Sequence, residues 1–171
     1  LCMNECIQMN NYQGGLTLYS ALTHAAVDRL KASWARVDRK RMKDFRFAEE
    51  LYSSKQNWKS YRSAVDDCVP PAVPYLGLYL TDLTFVEEGN SDLLDVGNKS
   101  EKKEGEVAAS GDKRNSVINF AKRRLWATIL RSLQMFQTVK YMCTSPLNLE
   151  ENLWTMRMLS EVDCYVLSLQ A

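Results

Sequence analysis

Apolar residues recur every three or four positions along most of the chain, which is the spacing of one helix face. An early example is the segment 12–22, in which Leu16, Tyr19 and Leu22 share a face. Asp38 is placed to cap a later helix at its N-terminus. The other shorter segments with helical spacing are 27–37, 39–52, 57–65, 149–158 and 161–169. Strand signals are few, so the pattern predicts an all-α protein.

The most apolar of the predicted helices covers residues 75–88. Tyr75–Val86 is apolar on nearly every side, and such a helix is either buried on several sides or meets a partner. The helix ends at Glu87 and Glu88, in a last turn where the helix macrodipole disfavours negative charge. This local conflict indicates that the two carboxylates serve something other than stability.

A second long helix is predicted over residues 117–141, with Ile118 and Leu125 on its apolar face. The segment 91–116 between the two helices is polar and contains three glycines, so it predicts a flexible connection. Three prolines within 70–74 predict a rigid, extended connector before the first helix, because proline cannot continue a helix.

Composition places the chain among ordinary globular proteins. It has 171 residues, of which 46% are hydrophobic and 25% charged, and this length suits one domain. No apolar run approaches the roughly 18 residues that span a bilayer, and Leu1–Asn10 lacks the basic start and apolar middle of a signal peptide. The five cysteines are odd in number and form no CxxC pair, so we expect reduced thiols and a cytoplasmic protein.

Charge and motifs exclude several functions. The 22 basic and 21 acidic residues leave a net charge of +1, which disfavours a general nucleic-acid binder. The basic run Arg36–Arg46 is interpreted as a solvated helix face, with a nucleic-acid or anionic-membrane patch as the alternative.

His24 is the sole histidine, and a structural role is favoured over catalysis. Phosphate-binding loops and the HExxH motif are absent, and Glu87 and Glu88 would point about 100° apart on a helix. We therefore expect no metal and no cofactor, although a solvated helix end remains an alternative interpretation of the two glutamates.

Several stretches together resemble the catalytic domain of Ras guanine-nucleotide exchange factors. The stretches, in the order of the family, are 10–12, 25–34, 57–62, 71–90, 117–124 and 135–141. The two most specific read PAVPYLGLYLTDLTFVEEGN and VINFAKRR, and the final helices match only loosely. The resemblance implies an irregular all-α bundle with a protruding helical hairpin, made of helices 75–88 and 117–141. It also implies that residues 1–171 form a partial domain without its N-terminal part.

The function implied by the resemblance is guanine-nucleotide exchange on a Ras-like small GTPase. In this family the hairpin wedges open the nucleotide site, so no covalent chemistry, cofactor or metal is expected. Glu88 matches the functional glutamate of the family, and Glu87 is its neighbour. Thr84 lies where some members carry an apolar side chain that excludes the metal of the GTPase. The alternative is a non-catalytic module of the same fold that binds a GTPase without discharging it.

The resemblance also implies further contacts with the GTPase. Trp58, Tyr75 and Phe120 match a pocket that receives an aromatic residue of the partner, with ordinary core packing as the alternative. Asn11 matches a position that contacts the switch region, and a helix cap is its alternative role. We expect recruitment to membranes through the partner or through domains outside this chain, without direct insertion and without nucleic acid. Neither the particular GTPase (Ras, Rap or Ral-like) nor the oligomeric state follows from the sequence.

Overall fold

The fold is described from a computed structural model that covers residues 1–95, 116–142, 144, 149–156 and 158–170. Across these residues the secondary structure is helical apart from one short two-stranded ribbon, so the predicted all-α class is confirmed. The chain divides into two compact units. The first contains the described residues up to Tyr75 and from Phe136 onward, and the second spans Leu76–Met135. Within the described segments, no helix is both long enough and apolar enough to cross a bilayer.

Most of the helices follow the predicted pattern, whereas the helix at Cys2–Gln8 and the two strands were not predicted. In chain order they are α1 (Cys2–Gln8), α2 (Tyr12–Thr23), α3 (Ala25–Asp28), α4 (Lys31–Trp34), α5 (Arg39–Leu51), α6 (Lys55–Asp67), α7 (Leu76–Gly89), β1 (Leu93–Asp95), β2 (Ser116–Ile118), α8 (Phe120–Met135), α9 (Leu149–Thr155) and α10 (Glu161–Gln170). The predicted helices 12–22 and 39–52 correspond to α2 and α5.

Side-chain caps fix where three helices of the first unit begin. The Asp38 carboxylate accepts from the backbone N–H of Arg41 at 2.9 Å, as the sequence predicted. His24 Nδ1 accepts from the N–H of Ala26 at 3.3 Å, which gives the sole histidine a structural role. Asn11 caps α2 in the same way. These bonds satisfy N–H groups that have no partner inside the helix.

Tyrosine side chains form the centre of the first unit. Tyr12, Tyr52 and Tyr61 are buried, and the rings of Tyr12 and Tyr61 meet edge to face with centroids 5.7 Å apart. The Tyr52 hydroxyl donates to the Tyr12 carbonyl at 3.1 Å, and the Tyr12 hydroxyl donates to the Ala64 carbonyl at 3.0 Å. Burial, the largest cause, raises the pKa of Tyr12 to about 12. The core therefore buries aromatic area while its hydroxyls keep hydrogen-bond partners.

In the second unit α7 contacts α8, and an antiparallel ribbon connects the two helices. Val117 pairs with Leu94 and Ile118 pairs with Leu93. The prediction of helix from residue 117 was therefore wrong at its start, because these β-branched residues join a strand. The helix also ends earlier than predicted, at Met135. Residues 96–115 of the predicted flexible connection lie outside the described residues, and the protrusion of the hairpin stays a prediction.

Close packing of α2 on Tyr52 gives a test of this fold. Gly15 is buried, and a Cβ added there would collide with the Tyr52 hydroxyl and lie 3.0 Å from Ile7 Cγ1. We expect Gly15→Ala to destabilise the first unit by about 1–3 kcal/mol through overpacking. Chemical denaturation followed by circular dichroism measures this change.

A matched double variant identifies the cause of that loss. Tyr52→Phe removes the colliding hydroxyl, so Gly15→Ala should cost less in the Tyr52→Phe background than in the wild type. An equal cost in both backgrounds would contradict the predicted collision.

Candidate functional site

The surface of α7 is unusually apolar for an exposed helix. Leu76, Leu80 and Phe85 are 55%, 62% and 68% exposed, whereas Leu78 is the buried residue of this helix. A helix that is apolar on all sides is expected either to be buried or to contact a partner. Since these three large apolar side chains are open in this chain, α7 has the properties of a docking surface.

Glu88 and Thr84 lie on one face at the end of this helix. Both are exposed, and their spacing of four residues places them next to each other on the helix surface. No hydrogen bond or ion pair engages the Glu88 carboxylate anywhere in the described part of the chain. The Thr84 hydroxyl donates to the Leu80 carbonyl at 3.0 Å. The end of α7 thus offers one unengaged carboxylate beside a threonine whose hydroxyl is already bonded.

Glu87 has a different environment from Glu88. Its Oε1 lies 3.0 Å from Nζ of Lys122, whose side chain is only 2% exposed. The same ammonium lies 3.0 Å from Asp92 Oδ1 and donates to the Glu87 backbone carbonyl at 3.2 Å. Consecutive helical residues diverge by about 100°, so Glu87 meets α8 while Glu88 faces outward. A contact of Glu87 with a partner stays a prediction.

The contacts around Lys122 favour the charged forms of Lys122 and Asp92. Burial opposes protonation, but hydrogen bonds to Asp92 and Glu87 and the charges of both carboxylates raise the pKa of Lys122. The hydrogen bond from Lys122 is the largest cause that lowers the pKa of Asp92, followed by the Lys122 charge. Arg123 adds a second contact with Asp92 at 3.0 Å.

Asn119 joins the start of α8 to the segment that follows α7. Its side-chain oxygen accepts from the N–H of Lys122 at 3.1 Å, and its amide nitrogen donates to the Ser91 carbonyl at 2.9 Å. Its backbone N–H donates to the Asp92 carbonyl at 2.8 Å. These bonds give Asn119 a structural role at the start of α8. The importance of Lys122 was not predicted, because in the sequence it is one of three consecutive basic residues. The feature that could have pointed to it is the acidic end of α7, for which the neighbouring sequence supplies no positive charge.

Trp58 and Tyr75 meet in the first unit. Their ring centroids lie 5.9 Å apart, and Trp58 also meets Tyr61 edge to face at 6.1 Å. The Tyr75 N–H donates to the Tyr61 hydroxyl at 2.6 Å. Phe120 begins α8 in the second unit and is 69% exposed. The structure therefore brings Trp58 and Tyr75 together, whereas a pocket that also contains Phe120 stays a prediction.

A left-handed turn holds Trp58 in this arrangement. Gln56, Asn57 and Trp58 have φ angles of 51°, 57° and 60°, although none of them is glycine. The left-handed region costs such residues roughly 1–2 kcal/mol each. Strained backbone is concentrated at functional sites, which makes this turn consistent with a role for Trp58 beyond packing.

Asn11 acts as the cap that was its alternative interpretation. Its Oδ1 accepts from the Gly14 N–H at 2.9 Å, while its Nδ2 makes no hydrogen bond within the described ranges. The adjacent backbone is tied to the segment before α7, because Val73 N–H donates to the Asn10 carbonyl at 2.9 Å. A partner contact through the side-chain nitrogen of Asn11 stays a prediction.

Comparison with known protein families identifies the family to which this chain belongs. The profile of the RasGEF domain matches residues 1–124, well over half of the chain. The chain therefore belongs to the RasGEF domain family.

Among the residues that the structure describes, no group of three or more His, Cys, Asp or Glu side chains is placed to hold a metal ion.

Individual relatives are similar over most of the chain. It is 35% identical to Ras-specific guanine nucleotide-releasing factor 2 of Mus musculus over 136 residues, which are 80% of the chain and 10% of that protein. It is 32% identical to Ras-specific guanine nucleotide-releasing factor 1 of Homo sapiens, over 80% of the chain and 9% of that protein. Ras guanine nucleotide exchange factor P of Dictyostelium discoideum is 33% identical over 96% of the chain and 10% of its own length. The chain thus spans about a tenth of these relatives.

Glycine substitutions test the left-handed turn. Gln56→Gly should stabilise the first unit, by up to about 1 kcal/mol, because glycine relieves the left-handed strain at some cost in unfolded-state entropy. Lys59→Gly is the control: Lys59 is also exposed in α6 but has no positive φ, and it should lose about 1 kcal/mol. Thermal denaturation measures both, and a loss for Gln56→Gly would contradict the strained turn.

Acid should weaken the second unit through Asp92. A carboxyl whose pKa is lowered by folding contributes stability above its unfolded pKa of about 3.9, and this stability is lost as the pH falls through the folded value. We therefore expect Asp92→Asn to be less stable than the wild type at pH 7, with a difference that shrinks below about pH 4. Urea denaturation from pH 3 to 7 measures the difference, with Asp66→Asn as control because Asp66 has no part in this cluster. A gap that is constant over this range would refute the prediction.

Proposed function

We propose that this chain acts as a guanine-nucleotide exchange factor for a Ras-like small GTPase and promotes GDP release by wedging open the nucleotide site. Its membership of the RasGEF domain family and the names of its relatives support this proposal. The observation that carries it is the exposed, unengaged Glu88 carboxylate at the end of an apolar α7. Exchange on this basis involves no covalent step and no cofactor.

The proposal has a definite energetic requirement. A small GTPase holds GDP through phosphate contacts and Mg²⁺, so accelerating release by about 10⁵-fold requires roughly 7 kcal/mol. The exchange factor must therefore bind the nucleotide-free form more tightly than the loaded form. The Glu88 carboxylate can accept from donors that otherwise serve phosphate, and the exposed Leu80 and Phe85 supply apolar contact area.

The remaining contacts in the proposal follow the family resemblance. Asn11 would contact the switch region through its side-chain nitrogen, and Glu87 would add a contact beside Glu88. An aromatic residue of the partner would enter a site formed by Trp58, Tyr75 and Phe120. We further propose a cytoplasmic location, with membrane recruitment through the partner.

Thr84 favours the second candidate function, a module that binds a GTPase without discharging it. Where some family members carry an apolar residue, Thr84 is smaller and its hydroxyl is bonded back to Leu80 at 3.0 Å. The side chain is therefore less suited to exclude Mg²⁺ from the nucleotide site.

Release of labelled GDP from Ras, Rap and Ral-type GTPases separates the two functions. The wild-type chain should accelerate release from at least one of them, and Glu88→Ala should reduce the acceleration by about 10- to 100-fold, the worth of a hydrogen bond to a charged group. Glu50→Ala, which removes an exposed carboxylate of α5, is the matched control and should remain fully active.

Direct binding to nucleotide-free GTPase completes this experiment. Binding without accelerated release would establish the non-catalytic module, and equal activities of Glu88→Ala and Glu50→Ala would remove Glu88 from the mechanism.

A further inference from the structure

The ammonium group of Lys122 contacts three oxygens around the end of α7. Its Nζ lies 3.0 Å from both Glu87 Oε1 and Asp92 Oδ1 and donates to the Glu87 backbone carbonyl at 3.2 Å. An ammonium has three N–H donors, so these acceptors match its full capacity. Because the side chain is 2% exposed, bulk water is poorly placed to substitute for any of them.

The backbone contact is the informative one, because the Glu87 carbonyl belongs to the peptide group that joins Glu87 to Glu88. The last four carbonyls of a helix have no partner within the helix, and helix ends fray. A hydrogen bond from Lys122 fixes the plane of this peptide. Because the same peptide group contains the backbone nitrogen of Glu88, its orientation constrains the direction of the Glu88 Cα–Cβ bond.

The side-chain contact removes a competing charge. Glu87 and Glu88 are adjacent carboxylates at the negative end of a helix, where both are disfavoured by the macrodipole and by each other. Lys122 neutralises Glu87 and holds it against α8. Glu88 is then the carboxylate of the pair that remains available on the exposed side.

We propose that Lys122 is a positioning residue that holds the Glu87–Glu88 peptide and so sets the direction in which the Glu88 side chain leaves α7 toward the GTPase. This inference rests on the proposed exchange function and extends it to a buried cation on the neighbouring helix. Arg123 offers a matched control, because it contacts Asp92 at 3.0 Å and, within the described residues, makes no hydrogen bond or ion pair with α7.

Backbone dynamics test the inference without any GTPase. From ¹⁵N relaxation of the full chain we expect an order parameter of about 0.85 for the Glu88 amide in the wild type and below about 0.6 in Lys122→Met. Arg123→Met should leave it at the wild-type value. A folded Lys122→Met variant with an unchanged Glu88 amide would overturn the inference.

Lys122→Arg covers the case in which Lys122→Met does not fold. The arginine keeps the charge, but its planar fork cannot direct donors from one point to the three oxygens that surround the ammonium. We expect a partial loss of order at Glu88. Wild-type order in this variant would show that charge alone suffices and would overturn the role of the backbone contact.

A double-mutant cycle with GDP release separates positioning from general stability. At saturating exchange factor, Lys122→Met should lower the maximal release rate roughly tenfold with little change in the half-saturating concentration. In the Glu88→Ala background the same substitution should change the rate less than about twofold. Equal effects in both backgrounds would indicate a merely structural role and overturn the inference. If the wild type releases no GDP from any GTPase, the proposed function fails, and the relaxation experiment alone then supports or overturns the orientation of Glu88 by Lys122.

Discussion

The second unit depends on the compensation of one buried positive charge. Lys122 is almost fully enclosed, and a buried ammonium is tolerated only when it is paired and hydrogen-bonded. Its partners come from the last turn of α7 and from Asp92, which precedes β1. The charge therefore links the end of one helix, the start of the ribbon and the first turn of the next helix. Asn119 strengthens the same junction through bonds to Ser91 and to the backbone of Lys122.

At this junction the two adjacent glutamates have different environments. Glu87 satisfies the buried cation, and Glu88 is left exposed on a helix that also exposes Leu76, Leu80 and Phe85. The acidic helix end is unfavourable as local helix chemistry. It becomes intelligible when one acid is structural and the other is available to a partner. The tension between local rule and observed sequence thus lies at the end of α7 that we propose to act on the GTPase.

The first unit holds several aromatic side chains in contact with one another. Buried tyrosines form its centre, and the hydroxyls of Tyr12 and Tyr52 donate to backbone carbonyls. At the edge of this cluster, a left-handed turn places Trp58 against Tyr75. Helical spacing alone could not predict this turn, because neither Gln56 nor Asn57 is a glycine, the residue that usually marks a positive φ angle. Family resemblance pointed to Trp58, and the backbone conformation supplies a physical reason to regard it as special.

The sequence by itself determined the helical class, most helix boundaries and the cap at Asp38, because these follow from periodicity and from bonds within a few residues. Family resemblance added Glu88, and membership of the RasGEF domain family is established by the match over residues 1–124. Only the tertiary structure decided that Val117 and Ile118 form a strand and that Lys122 pairs with Glu87, 35 residues away along the chain. Both depend on which segments meet in space, and no local pattern of residues encodes a partner so distant in sequence.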